Sequence, residues 1–178
     1  MPQDPNQRFR IRPLEADDAS ALYRLIVANR DHLAPWDPHR PEHYFTLEGQ
    51  QEHVAGQLAR ARNGHDYPYV MTLGGALIGR INLNNVVRGP LQSAVLGYWI
   101  DSEHQGRGLT TQAVRTVIDL ARDELGLHRL EAGTMLDNVA SQRVLINSGF
   151  EEYGVARKLL KIAGEWRDHR LFQRILHD

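Results

Sequence analysis

Cysteine is absent from the 178 residues, so this chain has no disulfide framework, no thiolate nucleophile and no Cys-ligated zinc site, which suits a reducing cytoplasm. Long apolar runs are missing too. Nothing approaches the roughly 20 residues needed to cross a bilayer, and Met1-Pro2-Gln3-Asp4-Pro5-Asn6 lacks the basic-then-apolar order of a signal peptide. There is no excess of one charge: 21 Lys+Arg against 22 Asp+Glu give a net charge of −1, with no basic surplus to suggest nucleic acid. Internal repeats and linker-like stretches are also lacking. The expectation is a cytoplasmic protein without membrane contact, a short tail over residues 1–8 and one domain over residues 9–176. A chain of this length buries about 70% of its unfolded surface, so it needs no metal or disulfide staple.

Hydrophobic spacing supplies the elements. Phe9-Arg10-Ile11-Arg12 alternates as a short strand, and Asp17 and Asp18 precede Leu22, Leu25 and Ile26 at helical spacing. Pro35, Pro38 and Pro41 forbid a continuous helix over residues 31–41. Thr46 caps a helix predicted to reach about Asn63. Tyr69–Leu73, a Gly74-Gly75 turn and Leu77–Leu83 read as a hairpin, followed by a strand from Ser93 to Ile100. Residues 84–92 and 31–45 are taken as loops. Leu109, Ala113, Val114, Val117, Ile118 and Ala121 mark a strong helix that stops at Gly126, and Arg129–Met135 is a strand. Asp137-Asn138 caps a helix ending at Gly149, and strands near residues 153–162 and 166–175 close the chain. The order β-α-α-β-β-β-α-β-α-β-β implies a mixed sheet with helices on its faces, an α/β (α+β) fold.

Chemistry concentrates at residues 96–111. Tyr98-Trp99-Ile100 ends a strand, Gln105-Gly106-Arg107-Gly108 forms a glycine loop, and Leu109 and Thr110 open a helix. Backbone amides there can converge on an anion at the positive end of the helix dipole. No Gly-Lys-Ser/Thr follows, which excludes a Walker loop, and Thr111 stands where a dinucleotide fingerprint needs its third glycine.

Gln105-Gly106-Arg107-Gly108-Leu109-Thr110 resembles the Gln/Arg-x-x-Gly-x-Gly/Ala pyrophosphate loop of the GNAT N-acetyltransferase superfamily, with Thr110 departing at the last position. Arg129–Thr134, Asp137–Leu145 with its Asn138-x-x-Ser141, and Gly149-Phe150 are similar to the RimJ/RimL branch, as is Asn29–Trp36 on the acceptor side. The resemblance covers about residues 9–176. It implies the GNAT fold, with about seven mixed strands, and transfer of acetyl from acetyl-coenzyme A, the co-substrate, to an amine without a metal. It further implies that Gln105 to Thr110 hold the pyrophosphate and that the backbone of Tyr98, Trp99 and Ile100 pairs with the pantetheine arm. The acceptor is expected to be a protein N-terminus, with a small amine or a non-catalytic acyl-coenzyme A-binding module as alternatives. Exposed sheet edges and the closing hairpin allow a homodimer.

Following the resemblance, Ser141 is the candidate acid for the leaving thiolate and Asn138 a positioner of cofactor or water; as bare sequence they are equally a helix cap and a first-turn serine. Glu131 is the one carboxylate between Glu124 and Asp137 and the candidate base, or else a salt-bridged strand residue; Glu103 and water are the other routes for the amine proton. His39 and His43 have a ligand-like spacing that Pro41 breaks. Asp168-His169 lack the Gly-x-Ser-x-Gly elbow of a hydrolase. Trp36, Tyr44 and Phe45 are candidates for the acceptor entrance.

Overall fold

In the computed structural model, which describes residues 8–178, seven strands form one sheet. The expected tail therefore falls, apart from Arg8, outside the described residues. The strands are β1 (Phe9–Pro13), β2 (Tyr67–Leu73), β3 (Ala76–Val87), β4 (Ser93–Ile100), β5 (Arg129–Met135), β6 (Glu151–Ile162) and β7 (Glu165–Ile175). Their spatial order is β1-β2-β3-β4-β5-β7-β6, antiparallel throughout except between β4 and β5. That parallel pair needs a crossover, and the apolar stripe read from the sequence supplies it. Helix α4 (Leu109–Asp123) buries Ala113, Val114, Val117, Ile118 and Ala121 against one face. On the other face lie α1 (Ala19–Ala28) and α3 (Leu47–Arg62), with the short α2 (Arg30–Leu33) between them; α5 (Val139–Asn147) joins β5 to β6.

Two apolar clusters result. The larger, under α4 and α5, includes Ile81, Leu83, Leu96, Leu130, Leu145 and Phe172; the smaller, under α1 and α3, includes Leu22, Val54 and Val70. Alternation along β3 and β4 assigns the side chains: Ile81, Leu83 and Leu96 go to the α4 face, while Arg80, Asn82, Gly97 and Trp99 turn toward α1 and α3.

Two stretches differ from the sequence expectation. Residues 84–87 are strand, not loop, because the buried Asp66 carboxylate accepts from the Asn85 amide (2.9 Å) and His65 O accepts from Val86 N (2.8 Å). Within the proline-rich segment, α2 and a 3-10 turn (Glu42–Phe45) form around the prolines, which remain outside both. No helix of the described residues is long and apolar enough to cross a membrane.

Candidate active site

The parallel pair is a fork. β4 and β5 are in register only at Ser93–Arg129, Ala94–Leu130 and Val95–Glu131, after which β4 continues five residues to Ile100 and β5 four to Met135 without pairing. Tyr98, Trp99 and Ile100, the three residues expected to offer their backbone, occupy the free edge. On its other side β4 remains locked to β3, through Gly79–Ile100, Arg80–Trp99 and Ile81–Tyr98. Gly79 permits this closeness: a Cβ there would lie 2.5 Å from Trp99 O. The open edge thus has a rigid back.

Beyond β4 a 3-10 turn (Ser102–His104) leads into the glycine loop. Gly106 and Gly108 have φ of 68° and 74°, the left-handed region that favours glycine, and a Cβ at either would meet nothing. Among the described residues, no carbonyl or side chain accepts from the amides of Gly106, Arg107, Gly108, Leu109, Thr110 or Thr111; the first α4 turn bonds only from Gln112 N to Gly108 O. Consecutive free amides at the start of a 15-residue helix make an anion cradle. This fits a diphosphate, and the clear space above both glycines lets it approach. The Gln105 side chain turns away and donates to His32 Nε2 (2.8 Å).

At the fork's far lip, the Tyr98 and Ser141 hydroxyls share a 2.8 Å hydrogen bond. Asn138 caps α5, its Oδ1 accepting from Ser141 N at 3.1 Å, and the Gln142 amide donates to Met135 O and Leu136 O, so the β5–α5 turn is fixed from both ends. Burial pushes the Tyr98 phenol up to about 12 against a lowering from Ser141, and it remains protonated at neutral pH. Ser141 and Asn138 are thus brought to the fork. Glu131 is not joined to them: it sits at the fork's vertex, opposite Val95, where Arg129 Nη2 (2.5 Å) and Tyr153 Oη (3.0 Å) donate to it. Glu103 is exposed.

Across the sheet, a cavity of about 580 Å³ opens beneath α1 and α3 and reaches Gly97, Tyr98 and Trp99. Trp36, Tyr44 and Phe45, the aromatic residues proposed for an acceptor entrance, line it together with His53, Arg80 and Asn82. Its cations are mostly paired: Arg40 donates to Asp37 (3.1 Å) and stacks on Tyr44, and Arg30 binds Glu42 and stacks on Phe45. Burial, aided by the charges of Arg80 and Arg40, pushes His53 down to about 4, leaving it neutral. The cavity side and the loop side are tied together by Asn29, whose Nδ2 donates to Asp101 Oδ1 (2.8 Å) while its Oδ1 accepts from Ser102 N (2.9 Å). His39 is exposed and His43 bonds Glu52. Among the described residues no three His, Asp or Glu side chains converge as a metal site.

Residues 8–151 match the acetyltransferase (GNAT) domain family. The chain is a GNAT acetyltransferase. It is similar to a probable N-acetyltransferase, YjcK, of Bacillus subtilis (41% identity over 163 residues, 90% of each chain). It also resembles the ribosomal protein uS5-alanine N-acetyltransferase of Escherichia coli (33% identity, covering 92% of this chain and 86% of the relative). Mycobacterium smegmatis RimJ in complex with CoA-disulfide superposes with a TM-score of 0.91 at 33% identity, over 96% of this chain and 83% of that one. The acetyltransferase is therefore an enzyme of the RimJ/RimL branch with the seven-stranded mixed sheet of its family.

Three features of this acetyltransferase escaped sequence reasoning. Tyr98 was expected to act through its backbone, yet its hydroxyl meets Ser141. Arg80 was read only as part of a hairpin, although the polar set Arg80, Asn82, Asn84 against Ile81 and Leu83 in a central strand was the available signal. The Asn29–Asp101 pair spans 72 positions and left no local trace.

Proposed function

We propose that this acetyltransferase takes acetyl from acetyl-coenzyme A and delivers it directly to a protein N-terminal amine. The observation that carries the donor half is the combination of six free amides at residues 106–111 with the unpaired β4 edge leading from them to the Tyr98–Ser141 pair. The loop amides would hold the diphosphate; the β4 backbone would align the pantetheine as an added strand and polarise the thioester carbonyl. The RimJ relative bound to CoA-disulfide, at 33% identity, supports the same ligand class here. A single displacement is favoured because the chain has no cysteine to carry acetyl and because fork and cavity meet at Gly97–Trp99.

In the step itself the amine nitrogen bonds to the acetyl carbon and the carbon–sulfur bond breaks. Ser141, hydrogen-bonded to Tyr98, gives a proton to the departing thiolate and takes one back from water, and the helix start behind it favours developing negative charge. Glu131 is assigned to receive the amine proton, directly or through water. For the acceptor, the support comes from the relative named as a ribosomal protein uS5-alanine N-acetyltransferase and from the cavity of about 580 Å³ that reaches the β4 edge.

Free thiol release, followed with peptides beginning in alanine or serine and with small amines, tests this reading. Acetyl located by mass spectrometry on the peptide α-amine is the expected result. Turnover confined to small amines would overturn the acceptor, and coenzyme A binding without thiol release would overturn the transfer.

A further inference from the structure

Arg80 is anomalous. It lies at the centre of β3, between Val70 and Trp99, and is only 3% exposed. A guanidinium has five N–H donors. Here one Nη1 donor reaches Gln57 Oε1 (2.6 Å) and one Nη2 donor reaches Asn82 Oδ1 (3.1 Å), while Nε is buried without a partner. Both partners are neutral amides. Asp18, the carboxylate whose charge is felt at Arg80, is already held by both Arg12 Nη atoms and the Glu15 amide. Arg30 and Arg40 have carboxylates of their own, and His53 is neutral. The cavity therefore ends in one buried, uncompensated positive charge with unused donors, an arrangement that is expensive to keep unless something anionic completes it.

From this we infer that Arg80 is a specificity-determining residue that receives a carboxylate of the acceptor. The inference rests on the amine-acceptor reading above and adds to it the chemistry of the group next to the amine. Arg80 pairs in register with Trp99 and Asn82 with Gly97, so the guanidinium belongs to the strand directly behind the open edge. Neighbouring strands lie about 5 Å apart and successive Cα atoms about 3.8 Å. An amine poised at β4 therefore carries its carboxylate within the next one to three residues. The preferred peptide is one with Asp or Glu just after its N-terminal residue. An amino-acid-like amine with its own carboxylate meets the same guanidinium. A planar fork with several free donors suits a carboxylate, and the amide oxygens of Gln57 and Asn82 hold that fork in place.

The test uses the intact protein and peptide pairs that differ by one atom type. N-terminal peptides with Glu or Gln at position two or three, and with Asp or Asn, are compared by kcat/KM. The acidic member should be about 10- to 100-fold better, the worth of a charge-assisted contact. Equal values within each pair overturn the assignment. Arg80→Gln should bring the ratio within about twofold while acetyl-coenzyme A affinity by calorimetry stays at the wild-type value; Arg80→Lys should restore part of the preference. A preference that persists in folded Arg80→Gln also overturns it. If neither variant folds, the wild-type peptide pairs decide alone. If no peptide is acetylated, the N-terminal reading fails separately, and β-alanine against its amide then decides for or against Arg80.

Discussion

The two faces of the sheet meet the reaction with different materials. On the α4 side the proposed donor site is mostly backbone: left-handed glycines, six free amides and a strand edge released from its neighbour. On the α1–α3 side the cavity proposed for the acceptor is built from side chains of α1, α3, β3, β4 and the intervening turns. A backbone site is confined to one short segment and tolerates many side chains, so it suits a ligand common to every turnover. A side-chain site draws on distant positions and changes with each of them, so it suits the variable partner.

Substitutions that strike one face and spare the other sharpen this contrast. The largest effect is expected from Gly108→Asp. Aspartate tolerates the left-handed backbone and has clear space, so the fold should persist, yet its carboxylate sits in the anion cradle. Calorimetry should show acetyl-coenzyme A affinity reduced about 100- to 1000-fold; unchanged affinity would move the diphosphate elsewhere. Next, Ser141→Ala should lower kcat about 100-fold with little change in donor affinity. Tyr98→Phe should fall in the same direction, and the double variant should be scarcely worse than Ser141→Ala, since the two hydroxyls act as one unit. Additive losses would separate them.

A third substitution addresses the seam between the faces. Asn29→Ala strips partners from Asp101 and Ser102 N, and thermal unfolding should show a loss of about 2 kcal/mol, or about 4–8 °C in Tm. Burial works against the Asp101 carboxylate, but the bonds from Asn29 and His104 outweigh it and hold the group below its usual range. The stability this supplies is present above about pH 4 and is lost as the pH falls through the lowered folded value. The gap between wild type and Asn29→Ala should therefore narrow on acidification. The smallest effect is expected from Glu131→Gln, less than about tenfold in kcat, because water can also take the amine proton and Arg129 and Tyr153 already occupy the carboxylate. A loss in kcat well beyond tenfold, with acetyl-coenzyme A affinity unchanged, would make Glu131 the principal proton acceptor.

This division also explains what could be read before the fold was known. Leu109 to Ala121 announced α4 because one face of a helix repeats within a few residues. Gly106 and Gly108 announced the cradle because their role depends on a missing side chain. Asn138 and Ser141 were singled out by the family resemblance; the structure uses Asn138 as a cap, the reading bare sequence also offered, and places Ser141 at the fork. Tyr98 was noted for its backbone; its hydroxyl became visible only when β5 and α5 were folded beside it. Arg80 was legible only as a polar interruption of a buried strand, and its unsatisfied charge depends on α3, 23 positions earlier, contributing Gln57. Burial of a charge is a property of the assembled layers, and no local pattern encodes it.

Asn29 has a practical consequence for anyone exchanging specificity between relatives. Its single amide group grips Leu25 O, Asp101 and Ser102 N at once, so the end of α1 and the turn after β4 share one pivot. A chimaera that imports residues 30–45 can keep this pin native and inherit a correctly anchored cavity wall. One spliced upstream of it must import both halves of the latch together.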